Sequence, residues 1–216
     1  MISFSKKAKN ELCRAPLGRG CCQQAEIYAM LLYASVFSHR QIRMTTESPA
    51  LARRMERLLD RVFGVTAKAA LSGSRWVIQI TEERTLRAML AQLGYDYKSY
   101  VTYHLNRNMV EEDCCTAAFL RGIFLMGGSV AGPDKKSHLE IKCSHQSLCR
   151  EVVSLMLDHG MEPKVTARRN GNLIYLKSTA AIEELLTRMG APHAALSIME
   201  AKVEKNLRNR INRQVN

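Results

Sequence analysis

No apolar run in this 216-residue chain approaches the roughly 18 residues that a membrane-spanning helix needs. Its opening, Met1-Ile-Ser-Phe-Ser-Lys-Lys, lacks the apolar core of a secretory signal. Acids are scarce, with 20 Asp and Glu against 32 Lys and Arg, for a formal net charge of +12. Such an excess points to an anionic partner, nucleic acid first, bound through phosphate neutralisation and counterion release. The seven cysteines contain no Cys-x-x-Cys spacing, and an odd number closes no complete disulfide framework. They read as reduced, small, mostly buried residues at helix starts, and neither a metal nor a cofactor is expected. These features predict a cytoplasmic, nucleoid-associated protein with no membrane partner.

What is present is a repeat. One segment runs Cys21-Cys22-Gln-Gln-Ala25-Glu-Ile27-Tyr-Ala29-Met-Leu-Leu-Tyr33-Ala34-Ser35-Val36, and a second runs Cys114-Cys115-Thr-Ala-Ala118-Phe-Leu120-Arg-Gly122-Ile-Phe-Leu-Met126-Gly127-Gly128-Ser129-Val130. The likeness continues through Gln41-Ile-Arg-Met-Thr-Thr and His138-Leu-Glu-Ile-Lys-Cys, then Phe63-Gly64 and His159-Gly160, at offsets of about 93 to 98 residues. A repeat of this length sets the architecture before any local pattern does. It predicts one pseudo-symmetric domain over 1–196, with halves at about 21–95 and 114–191.

Each half reads as helix, strand, helix, hairpin, helix, and further short strands near Val36 and Val130 are left open. A short helix over Ser3–Leu12 precedes the first half, with Ser3 or Ser5 as its cap. Ser48-Pro49 starts a helix whose Leu51, Met55, Leu58, Leu59 and Val62 share one stripe, with Arg53, Arg54, Arg57 and Arg61 off it. Hairpins are predicted from Val65–Ala70 with Arg75–Ile80, turning at Ser72-Gly73-Ser74, and from the strands around Asn170-Gly171-Asn172. Tyr95 to Asn108 reads as the linker between halves. From Ser197 a basic amphipathic helix begins, with Met199, Val203, Leu207, Ile211 and Val215 every fourth residue and no stop signal. That is what a chain continuing past residue 216 would show.

Ala25 and Ala29, and likewise Ala118 and Gly122, are four residues apart and make a small-residue patch on each repeated helix. Two such patches let two helices cross closely at a pseudo-two-fold axis, each half adding its strands to one continuous saddle of antiparallel sheet with the helices packed on one side, an α+β fold. Leu120-Arg121-Gly122-Ile123-Phe124-Leu125-Met126-Gly127-Gly128 resembles the nine-residue motif of the LAGLIDADG homing endonucleases. In that family an acid precedes the final glycine and binds metal. Here the position is Gly127, and in the first copy Ala34, so no carboxylate is offered to a hard cation at either helix end. Asp134 lies in the following loop, without a counterpart in the first copy.

The whole chain resembles the N-terminal part of the WhiA family. The residues that carry this are Ser3-Phe4-Ser5 with Lys9-Asn10-Glu11-Leu12, Cys21-Cys22 with Ala25-Glu26, Asp113-Cys114-Cys115 with Phe119-Leu120-Arg121-Gly122 and Gly127-Gly128-Ser129-Val130, His138-Leu139-Glu140-Ile141, and Arg208-Asn209-Arg210-Ile211-Asn212-Arg213-Gln214-Val215-Asn216. The resemblance implies a bacterial transcription factor linked to sporulation and cell division. It also implies a degenerate LAGLIDADG domain joined, through 197–216, to a C-terminal helix-turn-helix that would begin after this chain ends.

Three functions follow. The first is a catalytically inactive scaffold that binds duplex DNA through outward residues of its strands and hairpins: Arg43, Lys68, Arg75, Gln79, Lys142, Lys164, Arg168, Arg169 and Lys177. Arg and Gln suit base edges, and Lys suits phosphates. Regular alternation would not let Arg168 and Arg169 both face the groove. Trp76 and Tyr175 read as sheet packing rather than base stacking. The second is a regulatory module that contacts other regulator proteins, and the third, remote, is an active endonuclease. The duplication already supplies a pseudo-dimer, so a monomer is expected.

Overall fold

Two helices with hardly any polar face form the centre of the molecule, which a computed structural model describes over residues 2–96 and 103–215. After α1 (Phe4–Arg14), the first half runs α2 (Gly20–Leu32), β1 (Val36–Phe37), β2 (Ile42–Thr46), α3 (Pro49–Phe63), β3 (Ala70–Ser72), β4 (Arg75–Ile80) and α4 (Glu83–Gln92). A 3-10 turn at Arg107–Val110 leads to the second half: α5 (Asp113–Gly127), β5 (Gly128–Val130), β6 (Leu139–Cys143), α6 (Gln146–Asp158), β7 (Lys164–Arg168), β8 (Gly171–Leu176) and α7 (Thr179–Met189), and then α8 (Pro192–Val215). The two short strands left open in the sequence are β1 and β5.

The central helices are α2 and α5. Ala25, Ala29 and Ala118 are fully or almost fully buried. A Cβ built on Gly122 would lie 2.6 Å from the Glu26 carbonyl oxygen and 2.7 Å from the Ala29 Cβ, so the crossing admits no side chain there. The two halves repeat each other to the residue. Strand order is β1-β2-β4-β3 in one and β5-β6-β8-β7 in the other. Arg43 pairs with Gln79 as Glu140 pairs with Tyr175, and Met44 with Ile78 as Ile141 with Ile174. The strands form two four-stranded sheets, not the single continuous one expected, because among the described residues no ladder joins β1 to β5.

Local signals explain the helix ends. The Ser48 hydroxyl accepts from the Leu51 N–H, Pro49 opens α3, and Gly64 closes it at φ 65°, a left-handed conformation open to glycine at little cost. Ser3 caps α1 and Ser178 caps α7. The strand expected at Val65–Ala70 is instead β3, beginning at Ala70. The segment before it stays with α3, since the Ala69 N–H donates to the Glu56 carboxylate at 2.6 Å rather than to a strand. The second hairpin turns at Arg169–Asn170, one residue earlier than expected. The last helix starts at Pro192, not Ser197: both Glu11 carboxylate oxygens accept from its first turn, from His193 N at 2.8 Å and Ala194 N at 3.0 Å. Of the expected linker, residues 97–102 lie outside the described residues. Its flanks are packed: Tyr95 meets Phe37 edge-on at 5.6 Å, and the Tyr28 hydroxyl donates to the His104 carbonyl.

Arg54 departs most from its expected place. It is buried, not solvated off the apolar stripe of α3. Its guanidinium donates to Glu26 Oε2 at 2.9 Å and to the Ala15 carbonyl at 2.6 Å. Arg121 donates to the same Glu26 oxygen at 3.0 Å and to the Met189 carbonyl at 2.8 Å. One carboxylate from α2 thus joins guanidinium groups from α3 and α5, and carbonyls at the ends of α1 and α7 take the remaining N–H groups.

Candidate nucleic-acid interface

The ends of α2 and α5 are the place where a LAGLIDADG nuclease would hold metal, and here they are filled. A Cβ on Gly127 would lie 2.9 Å from the Lys142 carbonyl oxygen and 3.1 Å from two ring carbons of Tyr33. The ring of Tyr33, just past the end of α2, therefore occupies the space a carboxylate would need. Burial pushes its hydroxyl well above the usual range and keeps it neutral. At the end of α5, Lys9 Nζ donates to the Leu125 carbonyl at 3.0 Å and sits 5.7 Å over the Phe124 ring. Burial, with the Lys142 charge adding to it, lowers the Lys9 ammonium to about 8. The ring of Tyr33 and the Lys9 ammonium stand beside the helix ends where carboxylates would hold a divalent ion.

Each sheet leaves one face open, away from the helices. On the first, Arg43, Arg75 and Gln79 alternate with buried Ile42, Met44, Ile78 and Ile80 and point outward. On the second, Lys142 lies across from Leu173, and Lys164 across from Tyr175. Arg168 ends β7 and Arg169 begins the turn, so both are exposed once the regular strand stops between them. A cleft of about 500 Å³ lies on this face between Glu140, Lys142, Arg168, Arg169 and Asn172. Lys68 is exposed in the loop before β3. Lys177 follows β8, with Nζ 5.2 Å over the Tyr175 ring. Trp76 is half-buried opposite Thr46 and Leu71. Tyr175 sits on the open face itself, tilted 5.7 Å from His138.

Sequence reasoning missed several members of this surface. Glu140 occupies the position equivalent to Arg43, and accepts from Ser129 Oγ at 3.1 Å with His138 Nε2 at 3.3 Å. The register of the repeat could have revealed that reversal of charge. Lys135, Lys136, Lys202 and Lys205 join Lys177 around a cleft of about 370 Å³ between the β5–β6 loop and α8. No linear spacing unites these, because the two segments are far apart in the chain.

Two family models match, described as the WhiA N-terminal LAGLIDADG-like domain over residues 20–81 and the WhiA LAGLIDADG-like domain over 116–208. A protein of Alkaliphilus metalliredigens named "Probable cell division protein WhiA" is 31% identical over an alignment that covers 100% of this chain and 73% of that relative. The chain belongs to the WhiA family. A WhiA protein of Heliobacterium modesticaldum with the same name is 32% identical, covering 100% of this chain and 72% of its own. Full-length DUF199/WhiA from Thermatoga maritima superposes with a TM-score of 0.73 at 19% identity, over 99% of this chain and 73% of that one. The homing endonuclease I-DmoI, crystallised with DNA and Mn, gives a TM-score of 0.56 at 14% identity, over 79% of this chain and 98% of that one. At those identities the superpositions establish the fold: this WhiA chain is built on the LAGLIDADG framework. Among its described residues no helix is long and apolar enough to cross a membrane.

Proposed function

We propose that this chain is the DNA-binding scaffold of a transcriptional regulator of cell division and sporulation, a LAGLIDADG body that holds duplex DNA without cutting it. The observation that carries the reading is the pairing of cationic open faces with blocked helix ends. Arg43, Arg75 and Gln79 in one half, and Lys142, Lys164, Arg168 and Arg169 in the other, are presented outward, while Tyr33, Lys9 and Gly127 leave no seat for metal. The net charge of +12 favours phosphate along the whole surface. Lys68 and Lys177 would extend the contact beyond the strands. The naming of WhiA relatives for cell division and the DNA-bound state of I-DmoI both agree with this.

The test is titration of a labelled duplex with the 216-residue chain at several salt concentrations. Binding whose log affinity falls with log salt at a slope of about −4.5 to −5.5 corresponds to about five or six neutralised phosphates. Absence of binding at about 50 mM salt would reject the reading, since counterion release is strongest there.

A second reading, a module that docks on another regulator protein, is favoured by one observation. Leu196, Met199, Val203 and Leu207 run along α8 and are all about half exposed. An apolar line of that length on a helix flanked by Lys202 and Lys205 suits a protein surface better than a phosphate backbone.

A further inference from the structure

The two vicinal cysteine pairs, unremarkable in the sequence, meet in space. Cys21 and Cys22 lie in the first turn of α2, and Cys114 and Cys115 in the first turn of α5. The pseudo-two-fold axis brings those helix starts together, and all four sulfurs lie within 4.8 Å of one another. Cys22 and Cys115 are buried, Cys114 is half-buried and Cys21 is exposed. The set is therefore enclosed on one side and open to solvent on the other. The thiols are free, with Cys114 Sγ and Cys115 Sγ 4.0 Å apart.

We propose that Cys21, Cys22, Cys114 and Cys115 form a tetrathiolate site for one tetrahedral divalent cation of the zinc type, two ligands from each half of the repeat. With Zn–S bonds of about 2.3 Å, tetrahedral thiolates stand about 3.8 Å apart, so contraction of under about 1 Å closes the cage. The sulfurs are gathered too closely to enclose a cluster of several irons and sulfides. Softness selects the same ions: four thiolates and no oxygen ligand suit zinc and exclude calcium or magnesium.

Charge is provided for. Four thiolates around a divalent ion leave two negative charges. Arg19 Nη2 donates to Cys114 Sγ at 2.7 Å, and the positive N-terminal ends of both α2 and α5 face the site. Binding is an exchange without oxidation: each thiol gives up its proton to solvent and its sulfur lone pair to the metal, so four thiols release four protons. The exposed Cys21 supplies the path of entry. The consequence is mechanical. The ion would bolt the starts of the two helices whose middles cross at Gly122, and so tie half to half independently of any DNA.

The experiment uses the 216-residue chain purified under reductant, stripped with a strong chelator and titrated with Co²⁺, then with Zn²⁺. The expected result is uptake of one equivalent, with the intense visible d–d bands and near-ultraviolet sulfur-to-cobalt charge transfer of a tetrahedral thiolate. Zn²⁺ should bleach these bands and raise Tm over the stripped protein. Cys21→Ser, at the exposed position, keeps the fold by circular dichroism while losing part of the charge-transfer band and weakening uptake by about tenfold or more. Substoichiometric uptake, octahedral cobalt spectra, a signature unchanged in Cys21→Ser, or a disulfide between the pairs in freshly reduced-purified protein would each overturn the proposal.

Discussion

A single carboxylate, Glu26, answers two buried guanidinium groups. Removing it strands both charges in the interior, where neither can recover its hydration. Glu26→Gln is expected to lower stability by about 3–5 kcal/mol in urea or thermal unfolding. Arg75→Ala, which breaks an ion pair with Glu47 whose side chains are mostly exposed, should change it by under about 1 kcal/mol. An equal loss in the two variants would show that the buried triad carries no special weight. Lys9 makes a second prediction, on pH. Its folded value of about 8 lies below its ordinary 10.5, so between these pH values the unfolded chain holds more protons than the folded one. Stability therefore rises as pH increases from 8 to 10.5, because the buried amine is already largely neutral while the unfolded chain loses its advantage in bound protons. Tyrosines and other cysteines titrate in the same range, so the contribution is read against Lys9→Met. The stability difference between wild type and variant should move by roughly 2–3 kcal/mol in favour of wild type across that window. A difference that stays flat with pH would remove the burial argument.

At the scale of elements, the hairpins are the parts whose outward residues would meet the proposed duplex. Arg43→Glu with Arg168→Glu places one reversal on each sheet. The pair is expected to weaken duplex binding by at least about tenfold and to flatten the salt slope by about two, with Tm held because both residues are exposed on open faces. Unchanged binding would move the interface to the lysine cleft beside α8, where Lys135, Lys136, Lys177, Lys202 and Lys205 gather. Helix α8 is also an element whose attachment is local: the Glu11 carboxylate takes two first-turn N–H groups and contacts His193 Nδ1 at 2.9 Å. Its first turns are thereby held by α1, while its later apolar line stays open.

For the whole molecule, duplication has joined two halves into one body, with the pseudo-two-fold axis running between α2 and α5. The two halves share one strand register, yet equivalent positions diverge, Arg43 against Glu140 and Gln79 against Tyr175. For the duplex binding proposed above, two halves that differ this way suit an asymmetric site better than a palindrome. The blocked helix ends predict a whole-molecule outcome: plasmid DNA incubated with the chain and Mg²⁺ or Mn²⁺ stays supercoiled. Restoring the acids with Ala34→Asp and Gly127→Asp should not revive cleavage, because the Gly127 side would collide with Tyr33 and the Lys142 carbonyl. Nicking by the unaltered chain that a chelator abolishes would sink this account.

The sequence by itself determined the order of the main elements, the doubling, the small-residue faces of the two central helices, the Ser48-Pro49 helix start, the alternation in β2, and the excess of positive charge. All of these are written in neighbouring residues, at periods of two, four or one repeat, and local sterics and polarity act on them directly. Only the tertiary structure decided which remote groups meet. The pattern of α3 sets Arg54 off the apolar stripe and cannot show a carboxylate on another helix. Tyr33 gave no sign that its ring would fill the space beside Gly127. The two cysteine pairs lie far apart in the chain, and no ligand spacing links them. Their four sulfurs converge because two close-crossing helices start side by side, and that follows from packing at Ala29 and Gly122 rather than from any property of cysteine.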